Sequence, residues 1–419
     1  MTKKYVKSDD VNVITLKLSS ADGKKNYDLS AQVVEFSIYE DIMFPVVRAE
    51  FTLIDALDLL TKFPIIGEEI IEVEFETPGY DLSCSYKFHV NSIENQTTAA
   101  QGKSKAYVLR AFSEEFITNN TKFVGEKKSG SSEHLIQDMM NNYLGTKKTI
   151  AVGDPTKGTQ QVLLSRMRPF QIVDFIRKRS VSLNYNSSSY VFFENKRGFN
   201  FSTIEYLLHK QQDNVKDKVF FYDTAGNSDA RNMNTRNIIH LQNISQVDNT
   251  KKITQGSLNN VVKKFDLLTG EIVTTNYKNS EKQSQFKLGS KKPLGLNTSS
   301  FEKKFGAEAA TSMLVPHSSD LPDNYIDSAM GAKHSFVTKM GQNIYQVYVN
   351  GDTALTAGDV ITINVPSATG DTGSTQNNRL IAGNYLVSKL RHIVVNVSSN
   401  QKSYTVSMEL IKGFQEDYS

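Results

Sequence analysis

Alternation with a period of two is the feature of this chain that most restricts its fold. Val34, Phe36 and Ile38 alternate with Val33, Glu35 and Ser37. Val47, Ala49, Phe51 and Leu53 alternate with Arg48, Glu50 and Thr52, and Ile71, Val73 and Phe75 with Glu72, Glu74 and Glu76. Tyr86, Phe88 and Val90 follow, then Tyr107, Leu109 and Ala111. Successive side chains of a strand point to opposite faces. Such segments bury one set and wet the other, as in a half-buried antiparallel sheet. At least five of them, separated by turn residues, predict a small barrel or sandwich that ends near Phe112.

The next hundred residues change period. Ser132 is placed to cap a helix with Glu133 in its first turn. Leu135, Ile136, Met139, Met140, Tyr143 and Leu144 then recur at helical spacing, and Gly145 can end it. A second helix starts at Pro169, with Ile172, Val173 and Ile176 as its apolar stripe. Arg177, Lys178 and Arg179 fall in its last turn, where cations suit the helix dipole. Residues 190–194 and 199–204 read as a hairpin turning at Gly198. The span 113–215 is therefore expected to be a small α/β domain.

Strands return at KVFFYD (218–223) and IIHLQNIS (238–245), and VVKKFDLL with EIVTTNY reads as a hairpin across Thr269-Gly270. Residues 278–320 are rich in Ser, Lys, Asn and Gly with little periodicity, as in a long connection or insertion. A helix is expected over 323–340, with Ile326, Met330, Val337 and Met340 on its buried face. Three strong strands follow: IYQVYVN (344–350), DVITINV (359–365) and NYLVSKLRHIVVNV (384–397). The last strand, KSYTVSMELI (402–411), places Tyr404, Val406, Met408 and Leu410 on one face.

The fold class expected is α+β and mainly β, with two similar antiparallel β-barrel domains. The first covers 1–112, the α/β domain 113–215, and the second barrel 216–277 with 341–419. Residues 278–340 form a connecting or inserted segment with a helix.

The two strand-rich regions repeat one order of elements. Gly67-Glu68-Glu69 leads into IIEVEF and a Pro78-Gly79 turn, while Gly358-Asp359 leads into VITINV and Pro366. YKFHVNSIE from Tyr86 matches YLVSKLRHI from Tyr385. AYVLRAF, centred on Leu109, matches SYTVSMEL, centred on Val406. One chain would then supply two copies of one barrel, and three chains six, a pseudo-sixfold ring.

Composition bounds the functions available. The 419 residues, 39% hydrophobic and 22% charged, suit a soluble globular chain of two to four domains. Lys and Arg number 48 against 45 Asp and Glu, a formal net of +3, which is not the basic excess of a protein that wraps nucleic acid. Short basic pairs such as Lys24-Lys25, Lys127-Lys128 and Lys291-Lys292 read as solvated surface. The one cysteine, Cys84, excludes an intrachain disulfide and reads as a small buried side chain. The polar start MTKKYVKSDD is unlike a signal peptide, and no apolar run approaches the roughly 20 residues of a membrane span.

Catalytic patterns are sparse. The seven histidines (89, 134, 209, 240, 317, 334 and 392) show no local metal spacing, and none is followed by Glu. Gly153 and Gly158 have P-loop spacing, but Thr159 stands where Lys is needed. There is no Gly-x-Ser-x-Gly elbow. Glu72 and Asp81 have one spacing of a lysozyme carboxylate pair, yet Lys87 replaces the Thr and Glu72 sits outward on a strand. Glu114-Glu115 reads as surface charge. No catalytic, cofactor-binding or metal-binding residue is assigned, and no cofactor is expected.

AEFTLIDALDLLTKFPIIGEEIIEVEFETPG (49–79) and YKFHVNSIEN with GKSKAYVLRAFSEEFITN (86–119) resemble the first tube domain of the baseplate central hub proteins of contractile-tail phages, the myovirus hub family. RPFQIVDFIRKRSVSLNYNSSSYVFFENKRGFNFSTIEYLL (168–208) resembles that family's middle domain. GDTALTAGDVITINVPS (351–367) with GNYLVSKLRHIV (383–394) is similar to its second tube domain. The N-terminal part of type VI secretion spike proteins has the same build. No match is recognisable over 278–320.

The resemblance implies a non-enzymatic virion structural protein, a homotrimer forming a pseudo-sixfold ring in the tail baseplate and assembled in the host cytoplasm. It implies as partners a trimeric central spike, tail tube initiator and tube proteins, the tape measure protein and baseplate wedge proteins. DNA would pass through its channel during genome ejection without specific binding. The near-neutral charge suits such a conduit, because many Lys and Arg contacts would hold phosphates at low salt. The hub of a type VI or tailocin injection machine is the nearest alternative. The end of the chain at Ser419 without a spike extension favours a phage whose spike is a separate polypeptide. A cell-wall-degrading enzyme is the distant alternative.

Overall fold

The structure is a computed structural model. It describes residues 9–63, 65–78, 82–99, 104–185, 187–210, 218–222, 236–245, 248–278, 292–293, 299–306, 308–322, 325–341, 343–366, 378, 381–398, 401–412 and 414–415. Asp81 lies outside the described residues, as do 279–291, which include Lys291, and 294–298 and 307 of the expected 278–320 connection.

Seven strands come first: β1 (Asn12–Ser19), β2 (Asn26–Asp28), β3 (Val33–Asp41), β4 (Arg48–Asp55), β5 (Ile70–Glu76), β6 (Ser83–Ala99) and β7 (Ser104–Phe112). A single helical turn, α1 (Leu59–Lys62), lies between β4 and β5. The alternating residues face as expected, with Val47, Ala49, Phe51, Leu53, Ile71, Val73, Phe75, Phe88, Val90, Tyr107, Leu109 and Ala111 all buried. One face is corrected. A bulge between Val33 and Glu35 shifts the register, so Val33 is buried and Val34 is only half-buried.

The middle region holds α2 (Glu114–Thr121), β8 (Lys127–Gly130), α3 (Ser132–Asp138), β9 (Ile150–Val152), β10 (Gln160–Leu163), α4 (Pro169–Lys178), β11 (Tyr190–Asn195), β12 (Gly198–Thr203) and α5 (Ile204–Lys210). The cap of α3 is Ser131, whose side chain accepts from the His134 amide at 3.4 Å. Ser132 is instead buried and accepts from Gln160 Nε2 at 2.8 Å. A π-turn, Met139–Leu144, prolongs α3 until Gly145 closes it at φ 67°, in the left-handed region. In α4 the stripe Ile172, Val173 and Ile176 is buried against Tyr190, Phe192, Phe199 and Phe201 of the hairpin. Arg177 and Lys178 both pair with Asp174, as expected for a solvated helix end.

The last part contains β13 (Val219–Phe221), β14 (Ile238–Ser245), α6 (Asn249–Thr254), β15 (Asn259–Asp266), β16 (Ile272–Lys278), β17 (Lys292–Pro293), α7 (Ser299–Phe305), β18 (Thr311–His317), α8 (Ile326–Met340), β19 (Ile344–Asn350), β20 (Val360–Asn364), β21 (Gly383–Ser398), β22 (Gln401–Ile411) and β23 (Phe414–Gln415). The β15–β16 hairpin, grouped above with the second barrel, joins β18 instead in a separate three-stranded sheet. In α8, Ile326 and Met340 are buried as expected, but Val337 is 40% exposed and Phe336 takes the inward position.

One thirteen-stranded sheet organises the chain, in the order β14-β19-β22-β21-β3-β4-β7-β6-β5-β1-β2, with β20 pairing β13 and β21. The class is therefore α+β and mainly antiparallel β, as expected. Among the described residues, the strand ladders do not close either half into a complete ring. One apolar core runs beneath both halves, from Phe36, Phe51 and Leu109 to Tyr385, Val406 and Leu410.

Candidate assembly surface

The internal repeat is visible in the pairing. In the first half the order is β3-β4-β7-β6-β5, and in the second it is β14-β19-β22-β21-β20. Every neighbouring pair in both series is antiparallel, and the strands occur in the same order along the chain. The outermost strands differ, since β1 runs antiparallel to β5 whereas β13 runs parallel to β20.

The two halves meet along a seam. β21 is a 16-residue strand, β22 lies along one edge, and the opposite edge is divided. Gly383–Leu386 pair with β20, and Lys389–Val395 pair with Asp41–Glu35 of β3. At the centre of the seam His392 lies opposite Ile38, and both are fully buried. His392 Nδ1 shares a hydrogen bond with Tyr404 Oη at 2.7 Å, and the Phe75 ring meets the imidazole edge-on at 5.7 Å. Burial, with a smaller push from the Lys196 charge, lowers its pKa to about 3, so the imidazole is neutral. On the outer face Arg391 reaches Ser37 at 3.1 Å and Glu35 at 3.2 Å, with its guanidinium 5.1 Å from the Tyr39 ring centre.

A single turn of the middle region locks this seam. The β11–β12 tip inserts between the halves, and each of its polar groups meets a partner. The buried Glu40 carboxylate accepts from the Lys196 amide at 2.8 Å, Tyr86 Oη at 3.0 Å, Thr356 Oγ1 at 2.6 Å and the Ala357 amide at 2.7 Å. Three segments thus converge on one side chain of β3. Burial nonetheless raises its pKa above the usual carboxylate range. Asn195 Nδ2 donates to Ala357 O at 3.0 Å, and Arg197 pairs with the buried Asp359 at 3.1 Å, which also holds Lys218. Glu194 accepts from the Val47 amide at 3.0 Å and from Lys148 at 2.6 Å. A cleft of about 310 Å³ opens beside this turn, lined by Lys87, Lys147 and Lys148 among others.

Within the two series of strands, two edges lack a partner among the described residues. Ser83–His89 of β6 pair with β5, but from Ser92 onward only the β7 side of β6 is occupied. β14 pairs only with β19, and Ile239 and Ile244 on it are 54% and 51% exposed.

The chemistry-bearing residues of the sequence do not converge. Cys84 is fully buried beneath Thr353, and burial pushes its thiol up to about 11, the reverse of an activated nucleophile. Glu72 points outward on β5 and lies 3.9 Å from Lys17. Glu115 is a correction. It is buried, not surface charge, and accepts from Lys148 at 2.7 Å and Thr146 at 2.6 Å, while Glu114 stays exposed. Among the described residues no three His, Cys, Asp or Glu groups form a metal cluster. No described helix is long and apolar enough to cross a membrane. Glu40, Glu194, Asp359 and His392 were not singled out from sequence. Glu40 and His392 left a local signal, because period two places them on the inward face with Phe36 and Ile38 and with Leu390 and Val394.

No protein-family model and no curated protein matches the chain. Solved structures do. A tail protein from Neisseria meningitidis MC58 is 11% identical, with 95% of this chain and 97% of that one covered at a TM-score of 0.55. The prophage MuSo2 43 kDa tail protein from Shewanella oneidensis is 8% identical, with 95% and 98% covered at a TM-score of 0.55. The likeness is one of fold and spans both chains almost end to end, including the middle domain for which the sequence resemblance was stated.

Proposed function

We propose that this chain is a structural, non-enzymatic subunit of a contractile-tail baseplate: a central hub that assembles as a homotrimer. The observation that carries the reading is the repeat joined by its own seam. Each chain holds two equivalent five-strand units side by side in one sheet, so a closed ring of three chains presents six units. Such a ring has threefold symmetry in sequence and near-sixfold symmetry in backbone. It can seat a trimeric spike on one side and a hexameric tube on the other, with a channel between them for the tape measure and the genome. The fold shared with tail proteins supports the same reading. The locked turn at Glu40 suits a part that transmits force, because Glu40 and Asp359 tie the turn to the strand-rich halves and Glu194, beside the cleft, is paired with Lys148.

Light scattering on the purified protein, followed by class averages in negative stain, tests the proposal. A trimer with a central hole and six lobes is expected. A compact monomer that persists on concentration, with no ring, would overturn the trimeric hub.

A further inference from the structure

The seam inside the chain describes a junction that the two open edges lack. The long strand β21 carries β20 on the first part of one edge and β3 on the rest. The long strand β6 carries β5 on the first part of the matching edge, and the rest is open. By the repeat, the missing neighbour of β6 is the counterpart of β3. That counterpart is β14, whose outer edge is also open among the described residues. We propose that β14 of one copy pairs antiparallel with the distal half of β6 of the next copy, reproducing the internal seam between subunits.

The register follows from pairings already described. Leu109 and Val406 are equivalent, and their neighbours are Ile93 and His392. Ala49 and Val347 are equivalent, since they pair with Ala111 and Met408, and their neighbours are Ile38 and Leu241. In the internal seam His392 faces Ile38, so between copies Ile93 faces Leu241. One rung to either side, Arg391 facing Tyr39 becomes Ser92 facing Gln242, and Ile393 facing Ser37 becomes Glu94 facing His240.

The side chains fit this register, although nothing in the construction required it. Ile93 and Leu241 are the apolar pair, and each is only half-buried against the rim of the main core. Their counterparts Ile38 and His392 are fully buried. Ser92 meets Gln242, polar with polar, and Glu94 meets a histidine rather than another acid. A one-residue slip would set Ile93 against a polar side chain and turn both strands to the wrong face. Two long exposed edges on one chain are also a recognised route to association.

The inference rests on the trimeric reading for the size of the assembly but not for the pairing itself. Directly opposed residues on antiparallel strands lie within disulfide reach, and the native Cys84 is buried and silent. The test uses S92C/Q242C and I93C/L241C on the full chain, oxidised and run on denaturing gels without reductant. T98C/Q242C is the control, because Thr98 sits opposite Lys105 and Ser92 opposite Arg110, five rungs apart. The bulk of the chain is expected at covalent-trimer size in at least one of the two test pairs, with none in the control. A trimer by light scattering that links in neither pair, or equally in the control, would overturn the edge pairing and leave the trimeric reading standing. Covalent dimers or open ladders without trimers would keep the pairing and overturn the ring. A chain that never associates would overturn both.

Discussion

The first and second β-units carry the same five strands in the same order, but their long strands differ at one edge. β21 is paired along most of both edges, because β3 reaches it from the other half of the chain. The distal half of β6, its counterpart, faces no strand among the described residues. The connection between the first two strands of the series differs as well. β3 turns into β4 across six residues, 42–47, whereas 98 residues, 246–343, separate β14 from β19 and carry the small sheet and α8. The two units therefore share a pairing pattern and differ in what they meet. The long strand of one copy is paired with the other half of the chain, and that of the other copy keeps an open distal edge among the described residues.

The largest effect should come from a charge in the common core. Leu109→Asp and Leu410→Asp each bury an unpaired carboxylate at a fully buried site, at a cost of more than about 4 kcal/mol. Because one core and one sheet run beneath both units, calorimetry should show the same loss of the whole β transition in both variants. If Leu410→Asp left a first-unit transition intact, the units would be independent.

Glu40 tests the coupling across the seam. Glu40→Ala leaves the Lys196 and Ala357 amides and two hydroxyls without their acceptor, a loss of about 3 kcal/mol. Glu40→Gln should recover little, because an amide NH₂ would face two of the donors. Denaturant melts of the pair measure this. Near wild-type stability in Glu40→Gln would show that the carboxylate is not the clamp.

Histidine 392 separates the units by pH. At the equivalent rung the first unit has Ile93, so only the second carries a fully buried imidazole there. Its folded pKa is lowered to about 3, below the ordinary histidine range. Its contribution is therefore fully present above about pH 6.5 and is lost as the pH falls toward the folded value, about 3 kcal/mol between pH 7 and pH 4. Glu40, whose folded pKa is raised, changes in the opposite sense over part of that range. The quantity to read is therefore the difference between wild type and His392→Leu. The leucine variant should start lower at pH 7, having stranded the Tyr404 hydroxyl, and show the shallower acid slope. Parallel slopes would contradict the neutral buried imidazole.

The smallest effect belongs to the outer face. Arg391→Ala removes the contacts to Glu35, Ser37 and Tyr39 across the seam, and Arg110→Ala removes those to Glu50 and Glu94 within the first unit. Both are partly exposed pairs and should cost less than about 1 kcal/mol. A much larger loss at Arg391 would mean that the seam depends on its surface as well as its core.

Much of this architecture was legible because period two is a local property. Leu109 and Leu410 could be assigned to a buried face from their neighbours alone. Val34 was misplaced because a bulge shifts the period by one residue, and the pairing that creates it belongs to another strand. Ser132 lost the cap to Ser131 by one position, since either serine satisfies the same spacing. Val337 and Phe336 are adjacent apolar residues, and only the packing of α8 decides which faces in. Glu115 reads as surface charge until Lys148 arrives from over thirty residues away. The open edges of β6 and β14 left no trace in sequence, because an edge is defined by what fails to pair with it.

The seam also has a consequence in time. Ser37 and Arg391 lie 354 residues apart in the chain, yet they touch across adjacent strands. At ordinary rates of synthesis, β3 leaves the ribosome roughly 20 to 70 seconds before β21. Once β7 has emerged, and for most of that interval, the first unit can be complete except for one edge, and the nascent chain already contains β6 with a docking edge of the same shape. β14 emerges next and can be captured there within its own chain before β21 exists. Correct assembly is then a kinetic competition, and slowing elongation between residues 245 and 389 should raise the fraction of chains that close on themselves and never join a neighbour.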